Sequence, residues 1–123
     1  MLTQNVDGLH RRAGSRRLIE INGNLYSLHC TRSHWSKDVD NYKKLSLPPL
    51  CPECGAMVRP KVVLFEEMLP PEAVQTMQTQ LSRGFDLVFS VGTSALFPYI
   101  FEPILRASGE GKLTVEINPD ETA

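Results

Sequence analysis

The stretch Phe85–Gly92, "FDLVFSVG", decides the fold. It is a short continuous apolar run, which reads as a strand buried on both faces, as strands of a parallel sheet are. Upstream, "PPEAVQTMQTQLSRG" puts Pro71 near a helix start, sets Val74, Met77 and Leu81 on one face and stops at Gly84. Downstream, a second helical stretch is expected over roughly Phe97 to Ala107, weakened by Pro103 in its interior. "KLTVEIN" is the next strand. Strand, helix and strand within about 30 residues make a βαβ unit, for which a right-handed parallel crossover is the expectation.

The middle of the chain has a different character. From Ile19 to Val63 it carries short β-type runs, the Pro-rich loop "LSLPPLCPECG" and all three cysteines. This reads as a small β-rich module set on an α/β sheet. The expected partition is therefore 1–18 with 64–123 as one part and 19–63 as the other. The chain opens on "MLTQN", almost directly at a loop, and closes on "NPDETA" just past a strand, so both ends read as cut. No internal repeat or low-complexity tract is present.

Whole-chain properties narrow the function classes. A chain of 123 residues is the size of one small domain with a real core. The formal net charge is -1, which gives no bulk attraction to nucleic acid or to anionic lipid, and neither is expected as a partner. No apolar run approaches the length of a membrane span, and "MLTQNVDGLHRR" lacks the basic leader and apolar stretch of a secretion signal. Three cysteines without such a signal point to a reducing compartment, the cytoplasm, and to metal rather than disulfides. The basic cluster His10–Arg17, "HRRAGSRR", is read as a solvated loop ahead of a phosphate contact.

Several motifs carry chemistry. "CPEC", Cys51 to Cys54, has zinc-knuckle spacing, because thiolates at i and i+3 in a turn can share one tetrahedral ion. The matching upstream pair would be Cys30 and the residue three on, but that residue is Ser33. A serine hydroxyl stays protonated near neutral pH and does not replace a thiolate. The neighbouring His34 offers an imidazole that would complete a Cys₃His site, whereas His29 reads as an ordinary strand residue. The competing reading is three unrelated buried cysteines. "VGTSAL", Val91 to Leu96, lies between strand and helix, where backbone N–H groups and small hydroxyls can hold a phosphate or ribose, or can simply cap the turn. "TQNVDGLH" supplies Gln4, Asn5 and Asp7, suited to hydrogen-bonding a sugar or carboxamide, and equally to capping a helix start.

Taken in order, "TQNVDGLHRRAGS", "IEINGNLYSLHC", "CPECG", "RPKVVLFEEMLP", "VGTSALFPY" and "VEINP" resemble the sirtuins, the NAD-dependent protein-lysine deacylases. The resemblance covers nearly the whole chain and corresponds to roughly the second half of a sirtuin catalytic core. It implies a partial Rossmann-like α/β domain with a small zinc-binding module, and NAD and an acylated lysine peptide or protein meeting between them. By motif, Gln4, Asn5 and Asp7 would surround the nicotinamide and its ribose. Gly92, Thr93 and Ser94 would face the NAD phosphates and ribose, and Asn118 the adenosine side. Val62, Val63 and Phe65 would pair with the substrate peptide as an added strand. Cys30, Cys51 and Cys54 would hold a structural zinc.

The resemblance also exposes departures. The family's general base is the histidine of an "HG" pair, and here the pair is Asn22-Gly23. An asparagine can hydrogen-bond a ribose hydroxyl but cannot take its proton. Glu66 stands where the family's "FGE" has glycine, and Ser33 where it has a zinc cysteine. The Gly-rich strand–turn–helix that grips the NAD pyrophosphate, and the cofactor-binding loop, have no counterpart in these residues. The expectation is a deacylase fragment that is inactive as an isolated chain; the rival readings are a non-catalytic zinc-ribbon-like binding module or a non-functional remnant.

Overall fold

A computed structural model of the chain describes residues 1–119. The elements run β1 (Leu2–Thr3), α1 (Leu9–Arg12), β2 (Ile19–Glu20), β3 (Gly23–Cys30), β4 (Ser36–Asp38), β5 (Val58–Val62), α2 (Pro71–Arg83), β6 (Leu87–Val91), α3 (Pro98–Gly109) and β7 (Leu113–Ile117). The chain divides into two compact units, Met1–Met77 and the segment from Gln78 onward.

The first unit is built on an antiparallel sheet in the order β4-β3-β5. β3 pairs with β4 through Leu28↔Lys37 and with β5 through Cys30↔Val58 and Gly23↔Val62, with an irregularity between Asn24 and Leu28. Its buried cluster is Leu28, Cys30, Cys51 and Val58, against which Trp35, Val39, Leu45 and Ala56 pack. The β-rich middle is thus present. Its first strand, however, pairs in parallel outside the antiparallel sheet, through Leu2↔Ile19 and Thr3↔Glu20. That pairing, and the Leu25 N–H donated to the Val6 carbonyl at 2.8 Å, draws the N-terminal residues into the same compact unit as the β-rich middle.

Helix α2 starts at Pro71, whose missing N–H costs nothing in a first turn. Met77 and Leu81 are buried and Val74 is half-buried, the face expected from their spacing. Gly84 ends the helix with φ +75°, and its N–H reaches the Leu81 carbonyl at 3.0 Å.

In the second unit β6 and β7 pair in parallel with the register Leu87↔Leu113 to Val91↔Ile117. Helix α3 connects them, continues through Pro103 and packs against both strands. The expectation that β6 is buried on both faces does not hold for this chain. Val88 and Ser90 are half-buried, but Phe89 is 57 % exposed and Val91 62 %. Successive side chains alternate between faces, and among the described residues β7 is the one strand paired with β6, so the Phe89 side is left uncovered. The composition of a doubly covered strand is present, while its second cover is not among the described residues.

Candidate functional site

Three clusters of polar groups stand out, two in the first unit and one in the second. The first is the cysteine cluster. The "CPEC" turn is closed by Cys51 N–H to the Ala56 carbonyl at 2.7 Å and by Gly55 N–H to the Cys51 carbonyl at 2.9 Å, with Gly55 at φ +69°. Strand β3 brings in Cys30, and all three Sγ atoms lie within 4.8 Å of one another. Cys30 and Cys54 Sγ are 3.5 Å apart, and the thiols are free. Zinc–sulfur bonds of about 2.3 Å place tetrahedral sulfurs about 3.8 Å apart, so the cluster fits a zinc ion. The backbone N–H groups of Arg32 and Ser33 each donate to Cys30 Sγ at 3.3 Å. The Ser33 hydroxyl, with these N–H groups, holds the Cys30 thiol down to about 6, a state suited to a metal ligand.

The fourth corner differs from the expected Cys₃His set. His34 is exposed and does not join the group of ligand atoms. Ser33 stands there instead, its Oγ 3.5 Å from Cys51 Sγ. Neighbouring side chains on an extended turn point in different directions, and the residue at knuckle spacing, not its neighbour, faces the thiols.

The second cluster surrounds Asn22. The Asn22 side-chain N–H donates to the Gln4 carbonyl at 3.2 Å, and the Asn22 carbonyl accepts from the Val63 N–H at 2.9 Å. Asn22 is thereby fixed between the Gln4–Asp7 turn and the end of β5. Gly23 is required beside it. It has φ +82°, and a Cβ there would lie 1.9 Å from the Lys61 carbonyl oxygen. Asp7 acts in part as the cap considered above, accepting the Leu9 N–H at 2.9 Å, while the Asn5 N–H reaches Thr3 Oγ1 at 3.1 Å. Asn5 is exposed, and Gln4 and Asp7 are half-buried.

Val62 and Val63 are half-buried at the end of β5, and Phe65 projects with 96 % of its surface exposed. Their turn depends on two residues that sequence reading missed. Arg59 grips Glu67 with both guanidinium arms, at 2.6 and 3.1 Å, and also donates to the Val62 carbonyl at 2.8 Å. Glu67 accepts the Leu64 N–H at 2.9 Å. The Arg59 guanidinium and that N–H hold the Glu67 carboxyl down to about 2. An eight-residue separation carries no local sequence signal for this pair. Between them Glu66 adopts φ +70°, a glycine conformation imposed on a side chain. His29, on β3, has an Nε2 atom that is buried without a partner; burial, with Arg59 and Lys61 nearby, lowers its pKa and favours the neutral ring.

The third cluster is the carboxyl end of the parallel pair. Gly92 N–H donates to the Ile117 carbonyl at 3.0 Å, and the Asn118 side chain bridges the Thr93 carbonyl at 2.9 Å and Glu116 Oε1 at 2.7 Å. Thr93 Oγ1 accepts the Ala95 N–H at 3.1 Å, and Ser94 is exposed. Gly92, Thr93, Ser94 and Asn118 are thus gathered beyond the carboxyl ends of parallel strands, where α/β sheets bind ligands.

Comparison with known proteins gives these clusters a common frame. The family model described as "Sir2 family" matches residues 1–97. "NAD-dependent protein deacylase 2" of Pseudomonas aeruginosa is 51 % identical over 125 residues, covering 99 % of this chain and 49 % of that protein. Its counterpart in Pseudomonas syringae pv. tomato is 52 % identical over 126 residues, with 99 % and 50 % covered. Among solved structures, a Sir2 homolog–NAD complex superposes with a TM-score of 0.88 at 42 % identity, covering 98 % of this chain and 47 % of that one. The fold and the site define a sirtuin-type α/β protein with a zinc-compatible cysteine cluster. This chain belongs to the Sir2 family. It spans about half the length of the curated relatives it matches. Among the described residues, no helix is long and apolar enough to cross a membrane.

Proposed function

We propose that these residues are the second half of an NAD-dependent protein-lysine deacylase core, carrying an asparagine at the position of the general base. The observation that carries this reading is the junction at Asn22, where the "TQNVDG" turn, the Asn22-Gly23 pair and the end of β5 are bonded together. NAD, when bound, would supply the electrophilic ribose carbon that the acyl carbonyl oxygen attacks as nicotinamide leaves, and the ribose hydroxyl that then takes the acyl group. Gln4, Asn5 and Asp7 would orient the nicotinamide and its ribose; Gly92, Thr93, Ser94 and Asn118 would receive the phosphates, ribose and adenosine. The acyl-lysine segment of a protein would add as a strand along Val62, Val63 and Phe65, with residues 19–63 acting as the zinc-binding module. The free thiols support a reducing, cytoplasmic setting.

Asn22 can hold a ribose hydroxyl through a hydrogen bond, but an amide takes no proton at neutral pH. Loss of a positioned general base costs about 10²–10⁴ in rate. Orientation of the two reactants is worth more, roughly 7–11 kcal/mol. A polypeptide of these 123 residues alone is therefore expected to be inactive, and Asn22→His alone is expected not to rescue it.

The test is nicotinamide release from NAD with an acetyl-lysine peptide. It is run on the chain, on Asn22→His, on both fused behind the first half of a bacterial relative, and on the fused Asn22→His form with Glu66→Gly added. Turnover is expected in the fused form that carries Asn22→His together with Glu66→Gly, at about 10² times that of the fused parent. Robust turnover by unfused Asn22→His would overturn the half-core reading. Absence of turnover from every form would overturn the deacylase reading.

A further inference from the structure

We propose that Cys30, Cys51 and Cys54 form a three-thiolate metal centre whose fourth coordination position is filled from solution, and that it takes a low-molecular-weight thiol there. The protein presents three sulfurs within 4.8 Å, and among the described residues no other histidine, cysteine or carboxylate joins them. The group at the remaining corner is the Ser33 hydroxyl, and its bonds turn it away from ligation. Its oxygen accepts the Trp35 N–H at 3.2 Å and lies 3.5 Å from Cys51 Sγ. An oxygen engaged by a backbone donor and hydrogen-bonded to a ligand sulfur supports that sulfur more readily than it binds the metal. Sites closed by four protein ligands are structural, whereas three protein ligands leave a position for an outside donor.

Access and softness select the donor. Cys30 and Cys51 are buried, but Cys54 is exposed, so the cluster opens to solvent on the Cys54 side. A thiolate-rich site favours a further soft ligand over water or carboxylate. Binding is a simple exchange. The thiol sulfur loses its proton to solvent, its lone pair forms the metal–sulfur bond, and a water leaves; no oxidation occurs. The centre would then be sensitive to the thiol concentration around it.

The experiment uses the full 123-residue chain, reduced with a phosphine, loaded with Co(II) as an optical probe and titrated with 2-mercaptoethanol. One Co(II) per chain is expected. Its sulfur-to-cobalt charge-transfer absorption should rise by about one third as thiolate ligands go from three to four. Ser33→Cys should begin at the higher intensity and show no response. Ser33→Ala and His34→Ala should keep the parent's response. A parent spectrum unmoved by the thiol, loss of cobalt on adding it, or failure to bind Co(II) would each overturn the proposal. So would a loss of the response in Ser33→Ala, or a loss of the response or a tenfold weaker metal affinity in His34→Ala. The parent titration and the alanine variants decide the matter even if Ser33→Cys does not fold.

Discussion

The β4-β3-β5 sheet and the β6-β7 pair solve the burial problem in opposite ways. The antiparallel sheet hides one small cluster, Leu28, Cys30, Cys51 and Val58. Half of that cluster is cysteine, so the residues that would hold metal also make the core. The parallel pair has no fully buried residue in either strand, and Leu113 and Ile117 on β7 are 65 % and 54 % exposed. Antiparallel sheets tolerate a wet face and parallel sheets rarely do. The difference teaches that the first region can be completed by a metal, whereas the second needs apolar cover.

The sharpest way to break this comparison is to add one methyl group to each region. Gly23→Ala meets the Lys61 carbonyl and must also hold φ +82°, whereas Gly92→Ala, at φ +59°, meets nothing within 4 Å. The expected cost is about 3–5 kcal/mol for Gly23→Ala, from overpacking and left-handed backbone together, and about 1–2 kcal/mol for Gly92→Ala. Trp35, the single tryptophan, packs on the cysteine core and reports the first region alone. Urea denaturation followed by Trp35 fluorescence should collapse for Gly23→Ala and stay unchanged for Gly92→Ala. Equal losses on that probe would show that the two regions unfold as one.

Local pattern made one region legible and long-range contact hid parts of the other. Helix α2 follows from Pro71, the Val74–Met77–Leu81 spacing and Gly84, all local signals. The βαβ unit was likewise readable, because "FDLVFSVG" and "KLTVEIN" differ plainly from the helix between them. What sequence could not supply was the burial of β6, since composition records the environment a strand is suited to, not the cover it has. In the first region the three-cysteine cluster followed from knuckle spacing. The choice of Ser33 over His34 at its fourth corner depended on side-chain direction, which spacing does not encode. The Arg59–Glu67 clamp joins a strand to a turn and has no periodic signature.

That clamp gives a smaller, pH-dependent test confined to the first region. The Glu67 carboxyl is depressed from 4.5 to about 2 in the folded chain. A depressed carboxyl contributes stability that is fully present above its unfolded pKa and is lost as pH falls through the folded value. The turn at Leu64–Glu67 should therefore hold above pH 4.5 and loosen between pH 4.5 and 2. The protection of the Leu64 amide, whose N–H donates to Glu67, taken relative to its intrinsic exchange rate at each pH, should fall across that window while the protection of the β6 and β7 amides does not follow it. Glu67→Gln should exchange faster at neutral pH and lose the acid step. An unchanged acid step in that variant would assign it to another group.

The smallest stability change is expected on the exposed face of the second region. Phe89 is 57 % exposed, so truncating it removes little burial, and Phe89→Ser should alter stability by about 1 kcal/mol or less. Leu28→Ala in the cysteine core, at 2 % exposure, should cost about 2–5 kcal/mol. The two variants thus differ most where the two regions differ. The same serine should act more strongly on association than on folding. Leu87, Phe89, Val91, Leu113 and Ile117 form an apolar surface on paired strands, and contiguous surfaces of this kind adhere to one another in water. Sedimentation over a range of chain concentrations should show less association for Phe89→Ser than for the parent, with circular dichroism nearly unchanged. A Phe89→Ser chain that unfolds β6 and β7 as completely as Leu28→Ala disrupts the antiparallel sheet would mean that this face is covered in solution. The contrast between a closed and an open region would then fail.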